Sequence, residues 1–189
     1  AIDYLCNPDS YELGERVTVI GAGNAAMDVA RTALRKGSPN VTVFSRSAKI
    51  AASKRESEYA SVDGVRFELC WEPVEIPPEG VIFRKLAYQE DGTRTAVPDS
   101  ETLFPSDSVI ISISQGPKNK IVSTTTGIDV NSRGLLVTNE HGETTHPGIF
   151  ASGDVVNGAK TVVEAVRYSK DVADAMDRYM REHAGEALN

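Results

Sequence analysis

The sequence lacks several features that mark well-defined protein classes. Its two cysteines, Cys6 and Cys70, form no CxxC pair and its three histidines are scattered, so it offers neither a zinc ligand set nor a disulfide framework. No apolar run approaches the ~20 residues of a membrane span. The first residues have neither the basic nor the apolar region of a signal peptide. We therefore expect no membrane association and a reducing, cytoplasmic setting.

A surplus of positive charge is also missing. The chain has 20 Lys and Arg against 27 Asp and Glu, a formal net charge of -7, which argues against nucleic-acid binding through phosphate neutralisation. With 189 residues, 40% of them hydrophobic, it is long enough for one or two packed domains. It begins with Ala1 rather than methionine, which suggests a piece of a longer protein.

What is present begins with a strand, a glycine-rich turn and a helix. Val17–Ile20 is a β-branched run, and apolar residues at helical spacing continue from Asn24 until Lys36-Gly37 ends the pattern. A second β-branched run, Val41–Phe44, completes a βαβ unit over residues 16–45, about the ~30 residues that such a unit needs. We expect its two strands to be parallel, with a right-handed crossover.

The turn from Gly21 to Ala26 has the pattern G-x-G-x-x-A found in dinucleotide-binding sites. Gly21 permits the tight turn, and Gly23 lets the backbone approach a pyrophosphate. The small Ala26 lets the helix pack close to the strands, while the N-terminus of the helix offers free N–H groups to phosphates. The position inside a βαβ unit predicts a dinucleotide site. The alternative is a glycine-rich turn with a structural role only.

The end of the second strand indicates which nucleotide binds. An NAD site places an acidic residue about 20 residues beyond the third small residue of the turn, and here that position is Arg46. No acidic residue occurs from Val29 through Arg55. Ser45-Arg46-Ser47 therefore predicts a cradle for the 2′-phosphate of NADP. A solvated basic helix face is the alternative, and it accounts for three other basic residues of this window, Arg31, Arg35 and Lys36.

Strand patterns dominate the middle of the chain. Residues 53–63 are typical of a short polar helix, and Val65–Leu69 alternates as a strand. Turn signals flank two more segments, 81–89 and 93–97, which predicts an antiparallel meander. The almost continuous apolar run within 107–113 predicts a buried strand.

The last third predicts a hairpin and a long helix. The hairpin has a strand at Leu135–Thr138 and a turn at His141-Gly142. Thr161 and Glu164 form a capping box at the start of the helix. Seven apolar residues of this helix are expected near one face: Val162, Val166, Val172, Ala173, Met176, Tyr179 and Met180.

Between the hairpin and the helix, Gly153-Asp154 places a carboxylate just past an apolar strand. On its own, such a pair is a common turn. Taken in order, however, GAGNAAMD, VTVFSRS, VIISISQGP and GIFASGDVVNGAKTVVEAV resemble the C-terminal part of NADPH-dependent flavoprotein oxidoreductases related to the small (beta) subunit of glutamate synthase. The similarity runs from about Gly14 to Tyr179.

The resemblance implies an α/β fold. The expected architecture is a Rossmann-like three-layer NAD(P)-binding domain with an antiparallel meander, inserted into an FAD-binding domain of which this chain has the C-terminal piece. It implies that residues 1–13 are a linker from the flavin domain, 14–117 the NADPH-binding domain and 118–189 the C-terminal portion of the FAD domain. Arg46, with Ser45 and Ser47, is implied at the NADPH 2′-phosphate. The residues implied at its pyrophosphate are Gly21, Gly23, Asn24, Ala25 and Ala26.

The resemblance also implies residues for the second cofactor, FAD. Gln115-Gly116 corresponds to the segment that returns to the flavin domain. Gly153-Asp154 corresponds to the motif whose carboxylate holds the ribityl or pyrophosphate region of the flavin. Thr161-Val162 corresponds to the start of the helix that faces the isoalloxazine ring.

The chain departs from the family pattern at two positions. The family often has consecutive arginines after the second strand, whereas Arg46 is followed by Ser47, so the preference for NADP is weaker or is shared with Lys49 or Arg55. Ser114 stands where the family usually has glycine, a change that we interpret as tolerated. The N-terminal G-x-G-x-x-G turn for FAD and the iron–sulfur cysteines of the family are absent from this sequence, which is similar to the back half of a larger enzyme.

These observations predict a fragment of an NADPH-dependent FAD oxidoreductase that passes hydride from NADPH to FAD and onward to an acceptor. Its implied partners are a larger synthase subunit or an iron–sulfur acceptor. No side-chain acid or base is needed for hydride transfer, so we nominate no catalytic residue, and we expect the isolated chain to be inactive. The alternatives are a non-catalytic NADP-sensing module and another two-dinucleotide flavoprotein reductase. A short-chain dehydrogenase is disfavoured because no tyrosine belongs to a Tyr-x-x-x-Lys motif.

Overall fold

The computed structural model describes residues 1–89, 92–113 and 120–184. The chain divides into two compact units, Ala1–Ser114 and Gln115–Asn189, and each is described by itself. Within the described residues, no helix combines the length and the apolar character needed to cross a bilayer.

The first unit is built on a four-stranded parallel sheet. Its strands are β1 (Arg16–Ile20), β2 (Asn40–Ser45), β3 (Arg66–Leu69) and β8 (Ser108–Ile111), and their order is β3-β2-β1-β8. The pairing of β1 with β2 is parallel, which confirms the predicted βαβ unit. The carboxyl ends of all four strands lie at the same edge, where the glycine turn and the loop after β2 begin.

Three helices belong to the first unit, α1 (Ile2–Cys6), α2 (Asn24–Arg35) and α3 (Lys54–Asp63). Alternate valines of β1 and β2 are buried in one core cluster with these helices. Tyr4 of α1 joins the same cluster and is 4% exposed, so the N-terminal segment is packed onto the unit. A 3₁₀ turn, Pro8–Ser10, follows α1.

The second group of strands is antiparallel, as the turn signals predicted. It consists of β4 (Trp71–Glu75), β5 (Gly80–Tyr88), β6 (Arg94–Ala96) and β7 (Thr102–Pro105), with β5 paired to each of the other three. A separate core cluster joins it to the parallel sheet: the rings of Phe44 on β2 and Phe83 on β5 stack 3.9 Å apart. Because the helix cluster and this aromatic cluster are formed by opposite faces of β1 and β2, the unit has the predicted three layers.

The predicted strand at 107–113 is present as β8, but the prediction that it is buried is wrong. Of its apolar residues, Ile110 is buried, but Ile111 is 54% and Ile113 is 62% exposed. The physical reason is the position of β8 in the sheet. In the part of the chain that the structure describes, β8 pairs only with β1 and is therefore an edge strand, although its sequence is as apolar as that of a central one.

An ion pair joins the starts of β1 and β8. The Asp107 carboxylate accepts hydrogen bonds from the backbone N–H groups of Glu15 (3.0 Å) and Arg16 (2.8 Å), and it also pairs with the Arg16 guanidinium. These hydrogen bonds from Arg16 lower the pKa of Asp107 to about 2. The ionised carboxylate thus stabilises the junction of two neighbouring strands.

We expect Asp107→Asn to lower the thermal midpoint at pH 7 by a few degrees, because the variant loses the ionised acceptor. The pKa in the folded state is below the ordinary value near 4, so this stabilisation is fully present above about pH 4 and is lost as the pH falls through about 2. Melting curves of both proteins between pH 2 and 7 test this. A difference in midpoint that is unchanged at pH 2 contradicts the assignment.

In its described residues, the second unit has three helices, α4 (Lys120–Thr124), α5 (Asp154–Asn157) and α6 (Val162–Glu182). The predicted hairpin forms only isolated bridges, one of which pairs Thr138 with Thr144. Its turn packs against α6: Gly142 has φ +79°, and a Cβ at this position would overlap the side chain of Val172.

The expected apolar face of α6 is only partly covered. Among the described residues of the helix, Val172 and Ala175 are buried. Five of the seven residues expected on this face are instead exposed: Val162 (78%), Val166 (51%), Ala173, Met176 (43%) and Met180 (60%). The bridges and turns of this unit contact only part of α6. Helical periodicity alone therefore overestimates how many side chains of this helix are buried.

Candidate functional site

Gly21, the first glycine of the turn, is required by the fold itself. Its φ is +116°, and a Cβ at this position would overlap the carbonyl oxygen of Ser112, the residue that follows β8. Its N–H also donates to the carbonyl of Phe44 (2.9 Å). Gly21 therefore lets β1, β2 and β8 converge at one edge of the sheet.

Gly23 has no such structural reason to be glycine. Its backbone is extended (φ -84°, ψ 179°), and apart from Gly23 itself and its two chain neighbours no described atom lies within 4 Å of the position that a Cβ would take. It caps α2 without a side chain, and none of the described residues accepts a hydrogen bond from the N–H of Asn24 or Ala25. Open space beside unpaired N–H groups at a helix N-terminus suits a phosphate.

Three other residues of the turn, Ala22, Asn24 and Ala26, contact neighbouring parts of the first unit. Ala26 is fully buried against the sheet, where a larger side chain would push the helix away. The side chain of Asn24 accepts a hydrogen bond from the N–H of Ser53 (2.9 Å), and the carbonyl of Ala22 accepts one from Ala52 (2.8 Å). The side-chain oxygen of Asn24 therefore fixes the loop that leads into α3, and its own N–H remains free for a ligand.

A buried hydroxyl lies at the same edge of the sheet. The Oγ of Ser112 is shielded from solvent and has no hydrogen-bond partner among the described residues. Sequence reasoning missed this residue. The signal in the sequence was a single polar residue inside the apolar run that lies within 107–113.

The loop after β2 presents the predicted 2′-phosphate residues. Arg46 and Ser47 are exposed, while Ser45 is half-buried and its Oγ accepts the N–H of Ser47 (3.1 Å). The Arg46 side chain makes no hydrogen bond or ion pair with any described residue. An exposed guanidinium without a protein partner is suited to bind an anion.

The other basic residues of this window behave differently. Arg31 and Arg35 both bind the carboxylate of Asp63 on α3 (2.7 and 3.0 Å), and Lys36 pairs with Asp9. The hydrogen bond from Arg31 holds the pKa of Asp63 below its usual range. These three basic residues therefore join elements of the first unit, which separates them from Arg46.

In the second unit, Gly153 and Asp154 lie at the start of α5. Gly153 has φ +75°, a conformation that favours glycine, and it provides the N-cap of this four-residue helix. Asp154 is exposed, and its carboxylate has no hydrogen bond or ion pair within the described part of the chain. The carboxylate is therefore accessible to a ligand.

Thr161 caps α6 through the predicted capping box. Its Oγ1 accepts the N–H of Glu164, and its own N–H donates to the Glu164 carboxylate. The Thr161 hydroxyl also donates to the Glu164 carboxylate (2.8 Å), and this bond, followed by the one from the Thr161 N–H, holds the pKa of Glu164 below its usual range. The next residue, Val162, is largely exposed at the start of the helix. Gln115 and Gly116 lie outside the described residues.

A cavity of about 460 Å³ lies along one face of the parallel sheet. Its lining includes the first residues of β1, β2 and β3, which are Arg16, Asn40 and Arg66, and extends to Phe44 and Glu68. No residue of the glycine turn or of the Arg46 loop is part of this lining. In the described ranges, no group of His, Cys, Asp and Glu is arranged to hold a metal ion.

A sequence profile for the family "Pyridine nucleotide-disulphide oxidoreductase" matches residues 6–169, most of the chain. The chain belongs to this family. Among members of the pyridine nucleotide-disulphide oxidoreductase family with curated descriptions, it is 34% identical over 182 residues to the "NADP(+)-dependent formate dehydrogenase subunit beta" of Moorella thermoacetica, covering 89% of this chain and 26% of that protein. It is 31% identical over 184 residues to the "Glutamate synthase [NADPH] small chain" of Escherichia coli K12, covering 88% and 39%.

The fold of the family is shared with solved thioredoxin reductases. The T. acidophilum enzyme matches 94% of this chain and 55% of its own, with a TM-score of 0.71 and 21% identity. The Lactococcus lactis enzyme matches 95% and 57%, with a TM-score of 0.70 and 23% identity. The expected resemblance to glutamate synthase small subunits and the expected fold class are thus confirmed. The chain spans between a quarter and two fifths of the length of the two curated relatives.

Proposed function

We propose that the first unit binds NADPH. The observation that carries this proposal is the open space beside Gly23, which adjoins two N–H groups, those of Asn24 and Ala25, that have no acceptor among the described residues. The pyrophosphate would bind there, at the N-terminus of α2. The 2′-phosphate would bind Arg46 and Ser47. The Ser45 hydroxyl would hold this loop at the end of β2 through its hydrogen bond with the N–H of Ser47. We also propose that Gln115-Gly116 belongs to the segment that leads back to the flavin domain.

We further propose that the chain is part of an FAD oxidoreductase. The family match and the names of the relatives support this reading over a sensor that binds NADP alone. Asp154, exposed and without a partner in the described residues, would accept hydrogen bonds from hydroxyl groups of the ribityl part of FAD, and Gly153 permits the turn that presents it. Thr161 fixes the start of α6, so that Val162 can contact the ring.

The two nucleotides, when bound, supply the chemistry, a transfer of hydride from C4 of NADPH to N5 of FAD. The residues of this chain bind and orient, and no side-chain acid or base is required for the transfer. In the proposed whole protein the electrons pass to an iron–sulfur acceptor or to a larger subunit, and the subunit names of the relatives support the second. We propose a cytoplasmic location, which suits two unpaired cysteines.

The NADPH assignment is tested with Arg46→Ala. A charge-assisted hydrogen bond contributes ~1.5–3 kcal/mol, so the variant should bind NADPH roughly tenfold to a hundredfold more weakly, while its affinity for NADH stays nearly unchanged. Calorimetric titration of both nucleotides measures this. Arg35→Ala is the control, because Arg35 pairs with Asp63 and should not contact the nucleotide. Equal losses of NADPH and NADH affinity in Arg46→Ala would rule out the 2′-phosphate assignment.

A further inference from the structure

One side chain of the antiparallel sheet holds the loop that carries Arg46. Tyr88 is the last residue of β5. Its hydroxyl donates a hydrogen bond to the carbonyl oxygen of Arg46 (2.9 Å) and accepts one from the N–H of Ala48 (3.1 Å). A single side-chain oxygen therefore fixes the backbone on both sides of Ser47.

The backbone groups of Ser47, which lie between these two bonds, are paired as well. Its N–H donates to Ser45 Oγ (3.1 Å), and its carbonyl accepts from the N–H of Cys70 (3.3 Å). The loop is exposed, yet four successive backbone polar groups have partners. Two of those four partners are supplied by the Tyr88 hydroxyl, so its loss would release more of the loop than the loss of either other contact.

The position of Tyr88 is itself well determined. It pairs with Arg94 of β6, and two residues earlier Leu86 is buried and donates its N–H to the carbonyl of Cys70 (2.7 Å). The strands of the antiparallel sheet thus fix the hydroxyl against the end of β2. The Arg46 side chain, by contrast, has no partner among the described residues, so its placement depends on the backbone that carries it.

We propose that Tyr88 is a positioning residue for nucleotide selectivity, whose hydroxyl fixes the Arg46 backbone so that the guanidinium is presented to a 2′-phosphate. The inference rests on the proposed function, since it concerns the same nucleotide site. A loop that is ordered before binding loses less conformational entropy when it binds. Because NADH has no 2′-phosphate, the loss of this ordering should weaken the binding of NADPH but not of NADH.

Tyr88→Phe isolates the role of the hydroxyl. The variant removes one oxygen from a ring that is 40% exposed and keeps the ring, so folding and any stacking on a base are retained. We expect about threefold to tenfold weaker binding of NADPH, and a change of less than about twofold for NADH. Tyr11→Phe is the matched control, because Tyr11 is similarly exposed (47%) and packs against Tyr4 instead.

The deciding comparison uses the full chain with Tyr88→Phe, Arg46→Ala and both changes, each titrated with NADPH and NADH. If Tyr88 acts through Arg46, the double variant should bind NADPH no more than about twofold more weakly than Arg46→Ala alone. Amide exchange adds a second measurement without nucleotide: the Ala48 N–H should exchange faster in Tyr88→Phe than in the unchanged chain.

Two patterns overturn the inference. In the first, Arg46→Ala selectively loses affinity for NADPH, but Tyr88→Phe does not. Its affinities for the two nucleotides then stay unchanged or change equally. The other is full additivity of the two substitutions, which would mean that the Tyr88 hydroxyl acts independently of Arg46. A failure of the proposed function is distinguishable, because Arg46→Ala would then show no selective loss, and both proposals would fall together.

Discussion

Gly23→Val is expected to abolish the binding of NADPH and NADH while leaving the fold intact. The extended backbone at Gly23 suits valine, and the space for its side chain is free of protein atoms, so folding should proceed. The valine methyl groups would fill the volume that we assign to the pyrophosphate. Both nucleotides carry that group, so each should bind more than about a hundredfold more weakly. Titration calorimetry and circular dichroism on the same preparation measure the two effects.

Gly21→Val provides the contrast. This residue has φ +116°, and a Cβ would overlap the Ser112 carbonyl, so the variant should be destabilised or unfolded even without nucleotide. The two glycines of one turn thus have separable roles, one for the fold and one for the ligand. A folded Gly23→Val protein that still binds either nucleotide with the original affinity would show that the turn is structural only.

The second large effect concerns FAD. We expect the 189 residues, purified on their own, to be colourless and to oxidise no NADPH with artificial acceptors, although they bind NADPH. If the whole flavin site has nanomolar affinity, about -12 kcal/mol, then half of its contacts leave roughly -6 kcal/mol, a Kd of tens of micromolar or weaker. Absorbance in the flavin region, together with a reductase assay, measures this.

Asp154→Ala extends the flavin prediction to a longer protein that contains this chain with the remaining part of the flavin domain. The flavin content should fall, because the hydrogen bonds of the carboxylate to the cofactor contribute ~1.5–3 kcal/mol. Asp171→Ala is a suitable control, since Asp171 is another exposed carboxylate of the same unit. A yellow 189-residue preparation with stoichiometric FAD and reductase activity would refute the proposal of a partial flavin site.

Local sequence patterns predicted the elements that local physics determines. The run from β1 through the glycine turn to α2 could be foreseen because β-branched residues, glycine spacing and helical period act over a few residues. The capping box of α6 was equally local. Two strands of the antiparallel sheet, β4 and β7, were not predicted. The first contains Pro73, a residue that is rare inside strands, and both are held by pairing with β5 rather than by a local pattern.

Features that depend on contacts between residues far apart in the sequence were not predicted. The exposure of Ile111 follows from its edge strand, and the apolarity of β8 could not reveal its position in the sheet. In the candidate site, Gly23 and Arg46 were predicted from spacing alone. Tyr88 was missed because it is remote in sequence from the loop that it binds, and Ser112 was missed because only the folded sheet brings it beside Gly21.

The central claim is that NADPH binds at the carboxyl ends of the parallel strands, along the glycine turn and the Arg46 loop. Titration of the ¹⁵N-labelled chain with NADP⁺, followed by amide chemical shifts, tests it most directly. The account predicts saturable shifts concentrated at residues 21–26 and 45–48. Saturable shifts concentrated instead at the opposite end of the sheet, around Arg16, Asn40 and Arg66, or no saturable shifts at millimolar nucleotide, would contradict it.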